Sequence, residues 1–508
     1  MNVNPREDSR KPGGSGNGLG GERAIVVQVR LPGAQGDHED PLAELRSLAT
    51  TAGVTVVGEL IQNREKPRGK TYLGKGKVEE LARLIAELRA TIVIFDNELA
   101  PSQIQALEED LGKGAAAKII DRSELILDIF ANRATTRQAQ LQVEIAQLEY
   151  TAPRLRAMWG HLGQVTGGAP VGVGTRGPGE QQLETDRRLV QRRLLQLERE
   201  LAEVQARKSR EVRERREQHF TVGLVGYTNA GKSSLFNALT AGGAFANEQL
   251  FATLHTRVER WKLGRVRRED GDAAADAANG GGGNEALLSD TVGFIRDLPH
   301  HLVASFRSTL EDAIHAHVLL IVVDVADRLA AQQLATVRSV LDEIGANEQP
   351  RILLLNKIDR WDALGRDERE SRKTPEEWLR DEPDAICVSA VTGAGLDELE
   401  RRVLAHLVGE VRECELSLPM SSGKAIDFVE KRLDVRGREY DGDRVNYRVR
   451  LGRRQAEQLA AAPGLLIDGA RSSDAIARLF TAPRAPAARR VPPHEIFVGE
   501  ERDRAPDR

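Results

Sequence analysis

One stretch constrains this chain more than any other: Gly226-Tyr227-Thr228-Asn229-Ala230-Gly231-Lys232-Ser233. The apolar run Val222-Gly223-Leu224-Val225 precedes it, and the helical pattern Ser234-Leu235-Phe236-Asn237-Ala238-Leu239 follows. Strand, glycine-bounded loop, Lys-Ser and helix form the loop that grips phosphates in nucleotide hydrolases. Its glycines let backbone N–H groups turn inward, where a helix N-terminus already favours negative charge. Lys232 is placed to reach the β- and γ-phosphates and the Ser233 hydroxyl to hold Mg²⁺. A chance match in a glycine-containing turn is the rival reading, and the rest of the chain decides between them.

The partners such a loop needs follow in order. After its helix comes Leu250-Phe251-Ala252-Thr253-Leu254-His255-Thr256. A threonine in a mobile segment here senses Mg²⁺ and the γ-phosphate; Thr253 is the choice and Thr256 the alternative. A strand then ends in Asp290-Thr291-Val292-Gly293-Phe294. That aspartate supports the Mg²⁺ shell, usually through water, and the Gly293 N–H can meet the γ-phosphate. Many such enzymes orient the attacking water with a glutamine after this glycine. Phe294 cannot, so no catalytic side chain is assigned and unaided hydrolysis is expected to be slow. The strand Ile352 to Leu355 leads to Asn356-Lys357-Ile358-Asp359. The Asp359 carboxylate accepts from guanine N1–H and N2–H₂, whereas adenine would leave it unpaired at a cost. Lys357 lies over the ring, Asn356 ties this loop to the phosphate loop, and Ser389-Ala390 close the base pocket. Four motifs in order, each after a strand, specify GTP.

A chain of 508 residues exceeds one hydrophobic core, so several domains are expected. The net charge of −4 excludes a generally basic nucleic-acid coat but leaves room for local basic patches. Two cysteines, Cys387 and Cys414, make neither a disulfide framework nor a zinc site. The longest apolar run, Val318 to Val323, is too short to span a membrane. The expected location is cytoplasmic, with partial membrane association left open.

The fold class read from these patterns is α/β and multi-domain. Residues 1–22 read as a disordered leader. Residues 23–122 alternate strand and helix, which argues for a parallel sheet. Within them, Tyr72-Leu73-Gly74-Lys75-Gly76-Lys77 before a helix reads either as an anion site or as a solvated basic turn. Residues 123–219 read as an antiparallel helical hairpin, the first helix kinked at Pro153. In its second helix Leu183, Val190, Leu194, Leu197, Leu201 and Val204 step by threes and fours as a heptad seam, interrupted at Arg187. A glycine-rich tip, 160–179, carries Arg176. Residues 220–410 form the nucleotide domain with a low-complexity insert at 269–283, 411–480 a small α+β domain, and 481–508 a disordered tail. The second helix is either an ordinary solvated charged face or an RNA contact. Arg187 and Arg188 stand in its basic, acid-poor early half, and tip arginine flanked by glycines suits phosphate. Both favour RNA.

Combined, Gly174-Thr175-Arg176-Gly177-Pro178-Gly179-Glu180 with Glu184-Thr185-Asp186-Arg187-Arg188, the phosphate loop, Leu250 to Leu254 and Asp290 to Arg296 resemble the HflX family of translation-associated GTPases. The resemblance covers roughly residues 23–410, and departs where His255 replaces the family's usual aspartate. It implies an N-terminal α/β domain, a helical hairpin, a GTPase domain and a small C-terminal domain. It implies Mg²⁺ and GTP/GDP as ligands, and the large ribosomal subunit and its RNA as partners. Contacts through Arg176, Gly177, Gly179, Arg187 and Arg188, ribosome-stimulated hydrolysis and the splitting of stalled or idle ribosomes under stress are further implications. Some members are also proposed to use ATP through the N-terminal domain, for which the Lys75/Lys77 loop is the place here. A monomer is expected. The alternative is a signalling or assembly GTPase whose hairpin binds a protein.

Overall fold

The computed structural model describes residues 19–33, 37, 39–111, 117–165, 178–240, 256–263, 284–296 and 311–480. The chain divides into two compact units at residue 403.

The first unit opens with β1 (Arg23–Arg30), α1 (Ala43–Thr51), β2 (Thr55–Asn63), α2 (Lys75–Leu88), β3 (Ile92–Phe95), α3 (Pro101–Leu111) and β4 (Lys118–Asp121). The sheet is wholly parallel in the order β2-β1-β3-β4. β1 and β3 are apolar without alternation because both faces are covered. Ala24, Val26 and Ile94 pack toward α1 and α4 (Arg122–Arg133). Ile25, Val27, Val93 and Phe95 pack toward α2 and α3. Asp121 caps α4 by accepting the Glu124 N–H at 3.0 Å. Leu125, Ile126, Ile129 and Phe130 of α4 lie in the same core, so the N-terminal fold extends beyond residue 122.

α5 (Arg137–Val165) and α6 (Pro178–Gln218) make the hairpin arms. Leu194, Leu197, Leu201 and Val204 meet Leu141, Ile145 and Leu148 along the seam. The opposite side of α5's first turns, Ala139, Val143 and Ala146, is buried in the N-terminal core. The helix assignment of α5 runs unbroken through Pro153, where the sequence pattern suggested a kink.

α6 passes through His219 straight into β5 (Phe220–Gly226). Next come α7 (Lys232–Leu239), β6 (Arg257–Leu263), β7 (Asn284–Asp290), α8 (Glu311–Ile314), β8 (Val318–Asp324), α9 (Ala330–Glu343), β9 (Arg351–Asn356) and β10 (Ile386–Cys387). The sheet order is β10-β9-β8-β5-β7-β6, parallel except where β6 runs against β7. β8 is buried along its whole length, as its unbroken apolar run requires. The C-terminal ends of β5, β7 and β9 therefore lie along one edge, where open α/β sheets bind ligands.

The second unit carries a sheet in the order β12-β13-β11-β14-β15, from β11 (Val411–Pro419), β12 (Asp434–Asp441), β13 (Arg444–Gly452), β14 (Leu466–Ile467) and β15 (Ala470–Arg471). Cys414, Leu416, Leu418, Val445, Tyr447 and Val449 form its core with Val429 and Leu459 from the helices Gly423–Arg432 and Arg453–Leu459. β12 is polar and Arg/Glu-rich, which hid it from the sequence reading.

Candidate guanine-nucleotide site

The phosphate loop occupies the turn between β5 and α7. Gly231 has φ +94°, and a Cβ there would stand 2.3 Å from Asn356 Nδ2. Only glycine fits that close approach. Asn356 Nδ2 donates to Ala230 O at 2.8 Å, so the end of β9 is tied to the loop. Its Oδ1 accepts the Ala390 N–H at 3.3 Å. Lys357 Nζ donates to Asn229 O at 2.6 Å and pairs with Asp324 Oδ2 at 2.7 Å, which draws the ends of β8 and β9 together. Ser389 Oγ donates to Asp359 Oδ1 at 2.6 Å, which fixes that carboxylate beside the end of β9.

Lys232 is buried and donates to Gly226 O at 3.1 Å and Tyr227 O at 2.8 Å. Burial pushes its ammonium down to about 8, partly opposed by Asp290. A polyanion would restore the charged form, as expected of a phosphate-binding lysine. Ser233 Oγ donates to Asp290 Oδ2 at 2.8 Å. Two hard oxygen donors side by side, one at a strand end and one at a helix start, fit Mg²⁺, which takes its remaining ligands from phosphates and water. A bound Mg²⁺ would neutralise charge between the β- and γ-phosphates.

Thr291 is fully buried, its hydroxyl donating to Leu224 O at 2.6 Å. Thr228 N–H donates to Phe294 O at 2.7 Å and Phe294 N–H to Gly226 O at 3.1 Å. These bonds lay the segment after Gly293 against the phosphate loop. The Phe294 ring is buried in the core with Tyr227 and Ile321. Ser234 sits in the first turn of α7. Phe251, Ala252, Thr253 and Leu254 lie outside the described residues, as do Arg176 and Gly177. Gly179 and Arg187 fall within α6, and Arg188 is exposed on it. In the basic loop before α2, the Gly74 N–H is taken by Gln62 Oε1 at 2.8 Å and Lys77 pairs with Glu80 at 2.9 Å.

A second group of polar residues joins the N-terminal sheet to this site, and the sequence reading missed it. Arg122 is buried between Asp96 (2.7 Å) and Glu44 (3.0 Å). Burial opposes its charge, but the two carboxylates outweigh that and hold the guanidinium above its ordinary value. Arg122 also donates to Arg296 O at 3.1 Å, and Arg296 pairs with Asp96 at 3.2 Å. Val292 and Ile295 are buried in the N-terminal core. No local signal marks Glu44, Asp96 or Arg122, since they lie far apart in sequence.

The phosphate-loop turn, the motifs at the strand ends and the sheet order are those of a P-loop GTPase, an enzyme that hydrolyses GTP. Family models agree along the chain. A GTP-binding GTPase N-terminal model matches residues 39–131, a GTP-binding GTPase middle region 133–216, a 50S ribosome-binding GTPase 221–357 and an HflX C-terminal domain 377–470. The GTPase HflX of Escherichia coli is 39% identical, covering 80% of this chain and 87% of that protein. That of Alkalihalophilus pseudofirmus is 44% identical, covering 66% and 74%. The chain belongs to the HflX family of GTPases. Among solved structures, a GTP-binding protein from the hyperthermophilic archaeon Sulfolobus solfataricus in complex with GDP aligns over 76% of this chain and 98% of that chain. The two share 23% identity with a TM-score of 0.38. Among the described residues, no helix is long and apolar enough to cross a membrane.

Proposed function

We propose that this GTPase is a nucleotide-gated factor that docks on the large ribosomal subunit and splits stalled or idle ribosomes, with its hairpin tip reaching ribosomal RNA. The observation that carries the reading is continuity. The 41-residue helix α6 runs through one residue, His219, into the strand that ends in the phosphate loop. Arg192, Arg199, Arg207, Arg210 and Arg213 are exposed along it, a row suited to phosphate contacts. The model matched over residues 221–357 is that of a 50S ribosome-binding GTPase, which supports the same partner. In this reading Gly226 to Ser234 cradle the phosphates, and Ser233 with Thr253 hold Mg²⁺. Gly293 meets the γ-phosphate, and Asp359, Ser389 and Ala390 select guanine. Phe294 is buried and apolar, so hydrolysis is slow alone and the ribosome supplies what is missing.

Co-sedimentation with large subunits in GTP, GDP and a non-hydrolysable analogue tests this. Binding should follow the triphosphate, and large subunits should accelerate hydrolysis. Arg176→Ala should abolish splitting while leaving GTP binding intact; a variant that still splits ribosomes would remove the tip from the mechanism. Leu189 and Leu195, both more than half exposed on α6, favour a second reading in which the hairpin binds a protein. Phosphate docking weakens steeply as salt rises and an apolar helix interface does not, so the salt slope of binding separates the two.

A further inference from the structure

The phosphate loop carries one bulky aromatic side chain, and none of the nucleotide chemistry above uses it. The loop's spacing leaves position 227 free, so a tyrosine there calls for another cause. Its phenol O–H donates to Glu44 Oε1 at 2.6 Å, and the phenol oxygen itself accepts the Arg296 N–H at 2.6 Å. Glu44 lies on α1 of the N-terminal sheet, and Arg296 stands three residues after Gly293. One buried oxygen thus joins the phosphate loop, the segment that follows the γ-phosphate glycine, and the neighbouring sheet.

What that junction holds in place matters for the nucleotide. A Cβ at Gly293 would stand 2.9 Å from Lys232 Nζ and 2.8 Å from Thr228 Cγ2. The space beside Gly293 is therefore closed by the lysine head and the loop. In GTPases the γ-phosphate is bound by this lysine on one side and this glycine's N–H on the other. In this arrangement the lysine head and the glycine stand close to each other, whereas a γ-phosphate would have to fit between them and GDP makes no such demand.

We infer that Tyr227 is a positioning residue for the switch. Its phenol holds Phe294–Arg296 down on the phosphate loop in the arrangement that suits GDP, and its release favours GTP. A bond present in only one of two conformations biases the ligand that prefers the other by its full differential free energy. The inference rests on Lys232 and Gly293 as γ-phosphate ligands and is independent of any ribosomal partner.

Tyr227→Phe removes a single oxygen and leaves the ring in its packing. Affinities of the full chain for GDP and for a non-hydrolysable GTP analogue, measured side by side, give the readout. The ratio should shift toward the GTP analogue by about tenfold, the value of one hydrogen bond to a charged group. Glu44→Gln keeps an acceptor but removes its charge, and should shift the ratio the same way by about threefold. It carries the test if Tyr227→Phe does not fold. A merely structural role would weaken both nucleotides alike, so an unchanged ratio, or one moved toward GDP, overturns the inference. Lys232→Ala serves as the control for the site itself. Loss of both nucleotides in that variant supports the loop as the site, and retained binding overturns the site assignment rather than the role of Tyr227.

Discussion

Asp359 is the single side chain proposed to decide the base. Its carboxylate is oriented by the Ser389 hydroxyl at 2.6 Å, and it has the two acceptor oxygens that guanine N1–H and N2–H₂ require. Asp359→Asn replaces one acceptor with a donor. GTP affinity should fall about ten- to a hundredfold, the cost of mispairing a charged hydrogen bond. Xanthosine triphosphate, which presents an oxygen in place of N2, should gain. Competitive titration of the two nucleotides checks this, and unchanged GTP affinity would sink the assignment. Gly231 was legible for a related reason: its position in the loop spacing is one where the backbone must be left-handed, and φ there is +94°. Why that glycine cannot be replaced was not legible, because Asn356 Nδ2 approaches it from 125 residues away in sequence.

Between elements, the joint of α6 with α8 is the clearest case of charge settling a packing arrangement. Asp312 is buried at the start of α8 and meets Arg215 at 3.1 Å and Lys208 at 3.8 Å on one face of α6. Ser209 Oγ donates to Glu311 Oε1 at 3.0 Å, and Val212 is buried on the same helix. Asp312→Ala leaves both cations without this partner. Because their own side chains keep some water contact, the expected loss is about 2 kcal/mol rather than the larger cost of a fully buried pair. Thermal or urea unfolding of the variant measures it, and an unchanged midpoint would mean that the pair adds nothing. The heptad seam of α6 was readable from spacing, since a helix's own period places Leu194, Leu197, Leu201 and Val204 on one stripe. The continuation of the same stripe was not: Lys208, four residues past Val204, and Arg215 look like two more charges in an Arg/Glu-rich run until Asp312 is brought beside them. The stretch Asp434–Asp441 was missed for the converse reason. Its residues are polar, and it is a strand because β13 pairs with it, not because of its own propensity.

On the scale of the first unit, the N-terminal sheet and the GTPase sheet meet over Val292–Arg296, the segment that follows β7. Arg122 is the centre of that meeting, buried with Glu44 and Asp96. Arg122→Met should leave the largely shielded Glu44 and Asp96 carboxylates facing each other with Arg296 as their shared cation. A loss of about 3 kcal/mol or more is expected, read as a lower unfolding midpoint of the full chain. A variant that melts with the native protein would show the cluster to be dispensable. The same substitution removes the donor to Arg296 O, so altered nucleotide affinity should accompany the lost stability. The amino-acid sequence by itself determined the fold class, the parallel sheets, the hairpin seam and the order of the nucleotide motifs. Each of these depends on residues close together in the chain, whose spacing records helix period, strand burial or loop geometry. Tertiary structure alone decided that Tyr227 of the phosphate loop, Glu44, Asp96, Arg122 and Arg296 form one network. Those residues span more than 250 positions and carry no common periodicity. Their pairing exists only because burial between two sheets makes each charge and hydroxyl find a partner there.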